Sequence, residues 1–340
     1  MIGSVKINNL GPLERVDWAP GPGFNVIIGA NDSGKTLLLK ALYATVRSTE
    51  EYGRGNDART FKQVLDDKLT WTFQLPVLGD IVRRSDDRSG CSVALDIDGR
   101  AVDFRLTAKA RKGVGEARTE LGQRSGTSIF IPAKEVLSMV GVIKESRHQQ
   151  KFGFDDPTYD LVRALEAEPS RGKPPFGDAR KALERLIGGR LREESHKGWV
   201  FERGRSKYPV AITAEGIKKV AIIDRLIVNR TLSSDSILFI DEPESFLHPE
   251  AAIKLLEILG HLVRSGVQVV MATHSQFILS KLAIMARRMK TSTPLLSLPA
   301  SGQGDPSGAD LLEGIPDNAI TEASINLYQE ELDTELDDEG

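Results

Sequence analysis

Gly29, Ala30, Asn31, Asp32, Ser33, Gly34, Lys35 and Thr36 match the pattern G-x-x-x-x-G-K-[ST] in full, and no other stretch constrains the fold as strongly. The octet follows a buried-type apolar run, FNVII at residues 24–28, and precedes a second, LLLKALY at residues 37–43. Strand, glycine-bearing loop and helix in that order give the pattern a mechanism. Gly29 and Gly34 let the backbone wrap close to phosphate groups, while the helix start supplies free N–H groups. Lys35 reaches the outer phosphates, and Thr36 offers its hydroxyl to magnesium. The unit calls for an α/β protein with a mainly parallel sheet flanked by helices.

A second apolar run, ILFI at residues 237–240, has the length of a fully buried parallel strand. It delivers Asp241 and Glu242 at its carboxyl end, where open α/β sheets place their chemistry. Burying a second, unpaired acid is costly. The Asp-Glu-Pro sequence therefore reads as a Walker B strand, with Asp241 holding magnesium and Glu242 polarising an attacking water. A third run, VQVVMA at residues 267–272, ends in Thr273, His274 and Ser275. One strand over from the two acids, His274 stands where a side chain reaches a γ-phosphate.

The rest of the chain elaborates this core. Residues 4–28 read as two short strands around Asn9, Leu10, Gly11 and Pro12, the second being the FNVII run. Residues 61–75 have helical spacing, and Gln74 falls inside that pattern. Residues 91–97 and 101–107 alternate around Asp98-Gly99 as an antiparallel hairpin beside the main sheet. Residues 109–118 form a basic, glycine-containing loop, and SIFI at 128–131 is another buried strand. Residues 145–198 turn helical and charged, with helices at 159–166 and 178–187, the second capped by Asp178, and a loop at 168–175 between them. Two short strands at 199–202 and 209–212 precede helices at 217–229, 249–262 and 276–289. Residues 291–309 read as loop, and the acidic stretch 330–339 as a disordered tail. One domain of 340 residues is expected, with a β/helix elaboration at 61–125, a helical subdomain at 145–198 and an acidic tail at 329–340.

Composition limits the context. A net charge of −3 gives no global pull toward nucleic acid or membrane. The single cysteine, Cys91, excludes an internal disulfide and fits a reducing compartment. No apolar run is long enough to span a bilayer, and the first residues look like an edge strand rather than a signal peptide. A cytoplasmic protein is expected.

On the segments GANDSGKT, TAEGIKK, LFIDEPESFLHP and ATHS, the chain resembles the ATP-binding-cassette class of ATPases, within it the group related to Rad50, SMC and OLD proteins. IFIPAKEVLS and ITEASINLYQEE are similar to small stand-alone bacterial ATPases of the OLD-like group. The resemblance implies a P-loop NTPase of ABC-ATPase type that binds ATP and magnesium in a head-to-tail homodimer or higher homo-oligomer. Each nucleotide would lie between the phosphate loop of one subunit and the signature helix of the other. The signature position falls on residues 213–219, with Glu215 and Gly216 toward the partner's nucleotide. It departs from the usual LSGGQ form, and Glu215 adds a negative charge there. No glutamine follows the SIFI strand, where Lys134 and Glu135 stand, and neither these residues nor Gln74 is assigned to magnesium.

The implied function is a cytoplasmic ATPase whose ATP state controls a separate effector, a nuclease or toxin, in anti-phage defence. Glu242, His274 and Lys35 would be its catalytic residues. Two alternatives remain at this stage, the energy subunit of a membrane transporter and an SMC-like DNA-binding ATPase. The altered signature and the sequence of residues 242–249 stand against the first. No sustained heptad repeat supports the second, although the basic loop keeps nucleic acid among the candidate partners.

Overall fold

The computed structural model describes residues 1–55, 59–84, 90–168, 175–194, 198–300 and 304–338. Two antiparallel strands, β1 (Ile2–Leu10) and β2 (Leu13–Trp18), precede β3 (Phe24–Gly29), which feeds helix α1 (Lys35–Glu51). Helix α2 (Phe61–Phe73) is followed by the hairpin β4 (Cys91–Ile97) and β5 (Arg100–Leu106), then β6 (Glu116–Thr119) and β7 (Ser128–Ile131). Helices α3 (Val140–His148), α4 (Asp156–Glu166) and α5 (Gly177–Ile187) lead to β8 (Arg190–Glu194), β9 (Gly198–Arg203) and β10 (Ser206–Pro209). The chain then alternates through α6 (Glu215–Val228), β11 (Ile237–Asp241), α7 (Pro249–Arg264), β12 (Gln268–Thr273) and α8 (Gln276–Met289). It closes with β13 (Pro294–Leu298), β14 (Ser307–Asp310) and α9 (Ala319–Asp338).

The main sheet has the order β14-β13-β3-β12-β11-β7, parallel throughout except for β14 at one edge. Every residue of β3, β11 and β12 is buried, as expected of central parallel strands covered by helices on both faces. Register pairs Asp241 with Ala272, and Thr273 with Ile28. The phosphate loop, the two acids and His274 therefore leave the sheet together at the carboxyl ends of its strands. Those ends form the candidate site.

One face of the sheet packs on α4, α5, α6, α7 and α8. The other packs on α1 and on a five-stranded antiparallel sheet, β2-β1-β4-β5-β6. Tyr43 of α1 is fully buried, edge-on to Phe130 and Phe239 at 5.6 and 5.7 Å between ring centres. Its hydroxyl donates to Asp160 of α4 at 2.8 Å. Lys68 of α2 joins the same cluster, 2.7 Å from Asp156, 2.8 Å from Asp160 and 3.1 Å from Glu51. This buried network locks α4, whose start borders the site, onto α1 and α2. Among the described residues no helix is long and apolar enough to cross a membrane.

Several local expectations change. Between residues 4 and 28 there are three strands, because Leu13–Trp18 forms its own antiparallel partner to β1. The hairpin at 91–106 joins β1 through β4 and so extends the N-terminal strands, and the basic loop runs into β6. Helix α3 begins before the helical segment expected from residue 145, and β8 is a strand inside that segment. Helix α5 is preceded by Phe176 in a left-handed conformation, so Asp178 lies in the first turn rather than at the cap. The segment expected as loop at 291–309 contains β13 and β14. β13 is apolar but short, with Pro294 at its first position, and its pairing with β3 decides the outcome. Most of the expected tail continues helix α9, capped by Asn318, whose side-chain oxygen accepts from the N–H groups of Ile320 and Thr321. Residues 339–340, and residues 169–174 of the loop expected at 168–175, lie outside the described residues.

Removing Lys68 would leave Arg47 beside Glu51 and Asp160, and Arg147 beside Asp156, as their remaining cations. Lys68→Met is expected to destabilise the fold by about 1–3 kcal/mol, read as a lower midpoint in urea denaturation.

Candidate functional site

The loop between β3 and α1 is shaped by contacts that leave no room for side chains. A Cβ on Gly29 would come within 2.5 Å of the Leu298 carbonyl oxygen and of Ser33 Oγ. Gly34 has φ 92°, and a Cβ there would lie 3.0 Å from Leu13 and Pro12 in the β1–β2 turn. Asp32 takes a left-handed φ of 65°, and Asn31 and Asp32 are both exposed. Gly34 precedes α1 without a side-chain cap, which leaves the first-turn N–H groups available to an anion. Ser33 Oγ is buried without a hydrogen-bond partner. The ammonium of Lys35 donates to the carbonyls of Gly29 and Ala30 at 2.8 and 2.7 Å. Burial pulls its pKa down, and Glu242, Asp241 and Glu244 pull it back up.

Thr36 and Asp241 meet directly. The Thr36 hydroxyl lies 3.1 and 2.9 Å from the two carboxylate oxygens of Asp241. Burial raises the Asp241 pKa, and the Thr36 hydrogen bond opposes that rise. Among the described residues no group of three or more His, Cys, Asp and Glu is arranged to hold a metal alone. Magnesium at a phosphate site keeps several waters and takes one or two protein oxygens. Thr36 and Asp241 supply that donor set, and the loop around them fits a polyphosphate.

Glu242 follows in a left-handed conformation, φ 47°. Its N–H donates to the Ala272 carbonyl at 2.9 Å, and its own carbonyl accepts from the Ser245 N–H at 3.1 Å. One carboxylate oxygen accepts from the Ser245 hydroxyl at 2.8 Å, and the other lies 3.1 Å from His274 Nδ1. The His274 side chain is half-exposed. Glu244 accepts from the Thr273 hydroxyl at 2.6 Å, while its second oxygen is buried without a partner.

A cleft of about 480 Å³ opens beside these groups. Thr36, Asp241 and Glu242 line it together with Lys40, Lys134 and Gln74. Gln74 ends α2 in a left-handed conformation instead of lying within the helix, and this turn brings it to the cleft. Lys40 pairs with Asp155 at 2.7 Å, and Asp155 caps α4 by accepting from the Thr158 N–H. Sequence reasoning gave Lys40 and Asp155 no role. The available signal was Lys40 standing one helical turn after Thr36.

Glu215 is exposed at the start of α6, whereas Gly216 is buried. A Cβ on Gly216 would lie 2.7 Å from the Phe246 carbonyl oxygen and 2.8 Å from Leu247. Within one subunit, this glycine serves close packing of α6 against the turn after Glu242. Lys219, also missed from the sequence, is buried on the same helix and donates to the carbonyls of Glu242 and Asp241. Burial lowers its pKa to about 8, against the raising effect of Glu244, Asp241 and Glu242.

Fold and site together define a P-loop ATPase domain of the kind shared by ABC, SMC and OLD proteins. Residues 107–280 match the family described as "AAA domain, putative AbiEii toxin, Type IV TA system", and the chain belongs to that family. It is similar to the macrolide export ATP-binding/permease protein MacB 1 of Aeromonas hydrophila, 25% identical over 202 residues, which cover 55% of this chain and 29% of that protein. It is also similar to the Old nuclease of Escherichia phage P2, 49% identical over 47 residues, 14% of this chain and 8% of that protein. The chain thus spans less than a third of either relative. In fold it is similar to an SMC head solved with the C-winged helix domain of ScpA, with a TM-score of 0.54 at 13% identity, covering 92% of this chain and 98% of that one.

Replacing Gly216 by Ala forces α6 away from the Phe246 carbonyl. We expect Gly216→Ala to lower stability by roughly 1–3 kcal/mol in urea denaturation, although alanine is the better helix former.

Proposed function

We propose that the protein binds ATP with magnesium and hydrolyses it. The observation that carries this reading is the meeting of Thr36 with Asp241, immediately beside a Glu242 carboxylate held by Ser245 and His274. The N–H groups at the start of α1 and the backbone of residues 29–34 receive the phosphates, and Lys35 neutralises charge on the outer ones. Thr36 and Asp241 would hold the magnesium ion, which when bound offsets charge on the β- and γ-phosphate oxygens. Glu242 orients a water for in-line attack on the γ-phosphorus and takes its proton. His274, next to Glu242, is placed to stabilise charge that develops on the transferred group.

We further read the working unit as a head-to-tail homodimer or higher homo-oligomer. Ile212, Phe246 and Phe277 are large apolar residues, 73, 64 and 62% exposed, on the segments bordering the site. The exposed start of α6, with Glu215, lies beside them, and a second copy of this chain would cover all four. The family description and the short match to a phage-encoded nuclease support an ATP state that controls a separate effector, a toxin or nuclease, in anti-phage defence. The longer match to an export ATP-binding/permease protein favours a second reading, the energy subunit of a transporter. Co-purification distinguishes the two by bringing down either a non-membrane effector or a permease.

Glu242→Gln is expected to lower phosphate release by about 10²–10⁴-fold while retaining ATP and accumulating a dimer on size-exclusion chromatography. Turnover at the wild-type rate would remove Glu242 as the base. Lys35→Ala should abolish nucleotide binding in a fluorescent-ATP titration, with the free protein still folded by circular dichroism.

A further inference from the structure

Lys219 is a buried cation that the chemistry above does not use. Its ammonium, on a residue 7% exposed, donates to the backbone carbonyl of Glu242 and, at 3.5 Å, to that of Asp241. The backbone carbonyls of Glu242 and Asp241 are its hydrogen-bond partners, and they keep it in place. The carbonyl it grips belongs to the residue with φ 47°. A non-glycine residue keeps that conformation only where its surroundings over-determine it. Lys219 is one of three groups fixing the Glu242 backbone, with the Ala272 carbonyl and the Ser245 N–H.

The other end of the same turn is held by the same helix. Gly216 lies three residues before Lys219, on the same side of α6, and packs against the Phe246 carbonyl. Helix α6 thus touches the turn at its first residue and again near its end. A shift of α6 would therefore act on the turn at both Phe246 and Glu242.

We propose that Lys219 is a positioning residue for hydrolysis: by holding the Glu242 peptide it aims the Glu242 carboxylate, so that the seating of α6 sets the rate of the chemical step. This inference rests on the reading of Glu242 as the group that orients water. Lys219 is not among the residues that line the cleft beside Thr36, Asp241 and Glu242.

The test compares Lys219→Met, Lys219→Gln and Lys219→Arg with the wild-type chain in steady-state ATPase assays and fluorescent-ATP titrations, with thermal melts alongside. For Lys219→Met, kcat is expected to fall on the order of 10²-fold, the scale of a small misplacement of a catalytic group, with ATP affinity kept within about 3-fold. Lys219→Arg, which retains a charged donor, should recover most of the loss. In a Glu242→Gln background, Lys219→Met should lower kcat no further, because both changes remove the same aimed carboxylate. The proposal is overturned by a kcat close to wild type, by a loss that follows ATP affinity or melting temperature, or by a loss that adds to that of Glu242→Gln. Should Lys219→Met not fold, Lys219→Gln carries the same readouts. A wild-type protein without ATPase turnover removes both this inference and the functional reading. An active wild type with an unaltered Lys219 variant removes this one alone.

Discussion

The hydroxyl of Thr36 rests on the carboxylate of Asp241 across 205 residues of chain, and the site is assembled around that contact. It exists because β3, β12 and β11 run parallel in one register, so that the phosphate loop, the turn after Asp241 and the turn after Thr273 leave the sheet at the same level. Burial of all three strands fixes the register, since a slip would break hydrogen bonds that have no water to replace them. The helices over the two faces protect that alignment. The charge network of Lys68, Asp156 and Asp160 then secures α4, whose N-terminal cap Asp155 holds Lys40 at the edge of the cleft.

A second constraint acts on the turn from Glu242 to Leu247. Two of its residues, Glu242 and Phe246, have positive φ, and neither is glycine. Such a turn persists because it is gripped from several sides: Ala272 from the neighbouring strand, Ser245 from within, and Gly216 and Lys219 from α6. The outcome is a carboxylate with both oxygens engaged before any substrate arrives. Pre-organisation of this kind reduces the reorganisation that the chemical step would otherwise require. It also links α6, whose first residue Glu215 is exposed, to the turn that carries Glu242.

The parts legible in the sequence were those with a strong local signal. The phosphate loop between FNVII and LLLKALY, the acids after ILFI and the His274 strand end could each be placed because strongly apolar runs bounded them. The hairpin around Asp98-Gly99 was legible for a comparable reason, a turn that favours positive φ at both central positions. Strands β2, β8, β13 and β14 were not. They are short, polar or interrupted, and each owes its form to the strand beside it. The end of α2 and the start of α5 differ from expectation by one or two residues, and at Gln74 that difference separates a helix position from a cleft wall.

Local chemistry thus determined the class of the protein: a phosphate cradle needs glycine, lysine and threonine at fixed spacing, and parallel strands need unbroken apolar runs, so both are written in consecutive residues. Only the tertiary structure decided how these parts act on one another. That Gly216 packs on Phe246, that Lys219 reaches the Glu242 carbonyl and that Lys40 meets Asp155 depends on the approach of elements far apart in the chain. Such contacts leave no periodic trace, because one lysine or glycine in a helix looks the same whether it faces solvent or a backbone carbonyl.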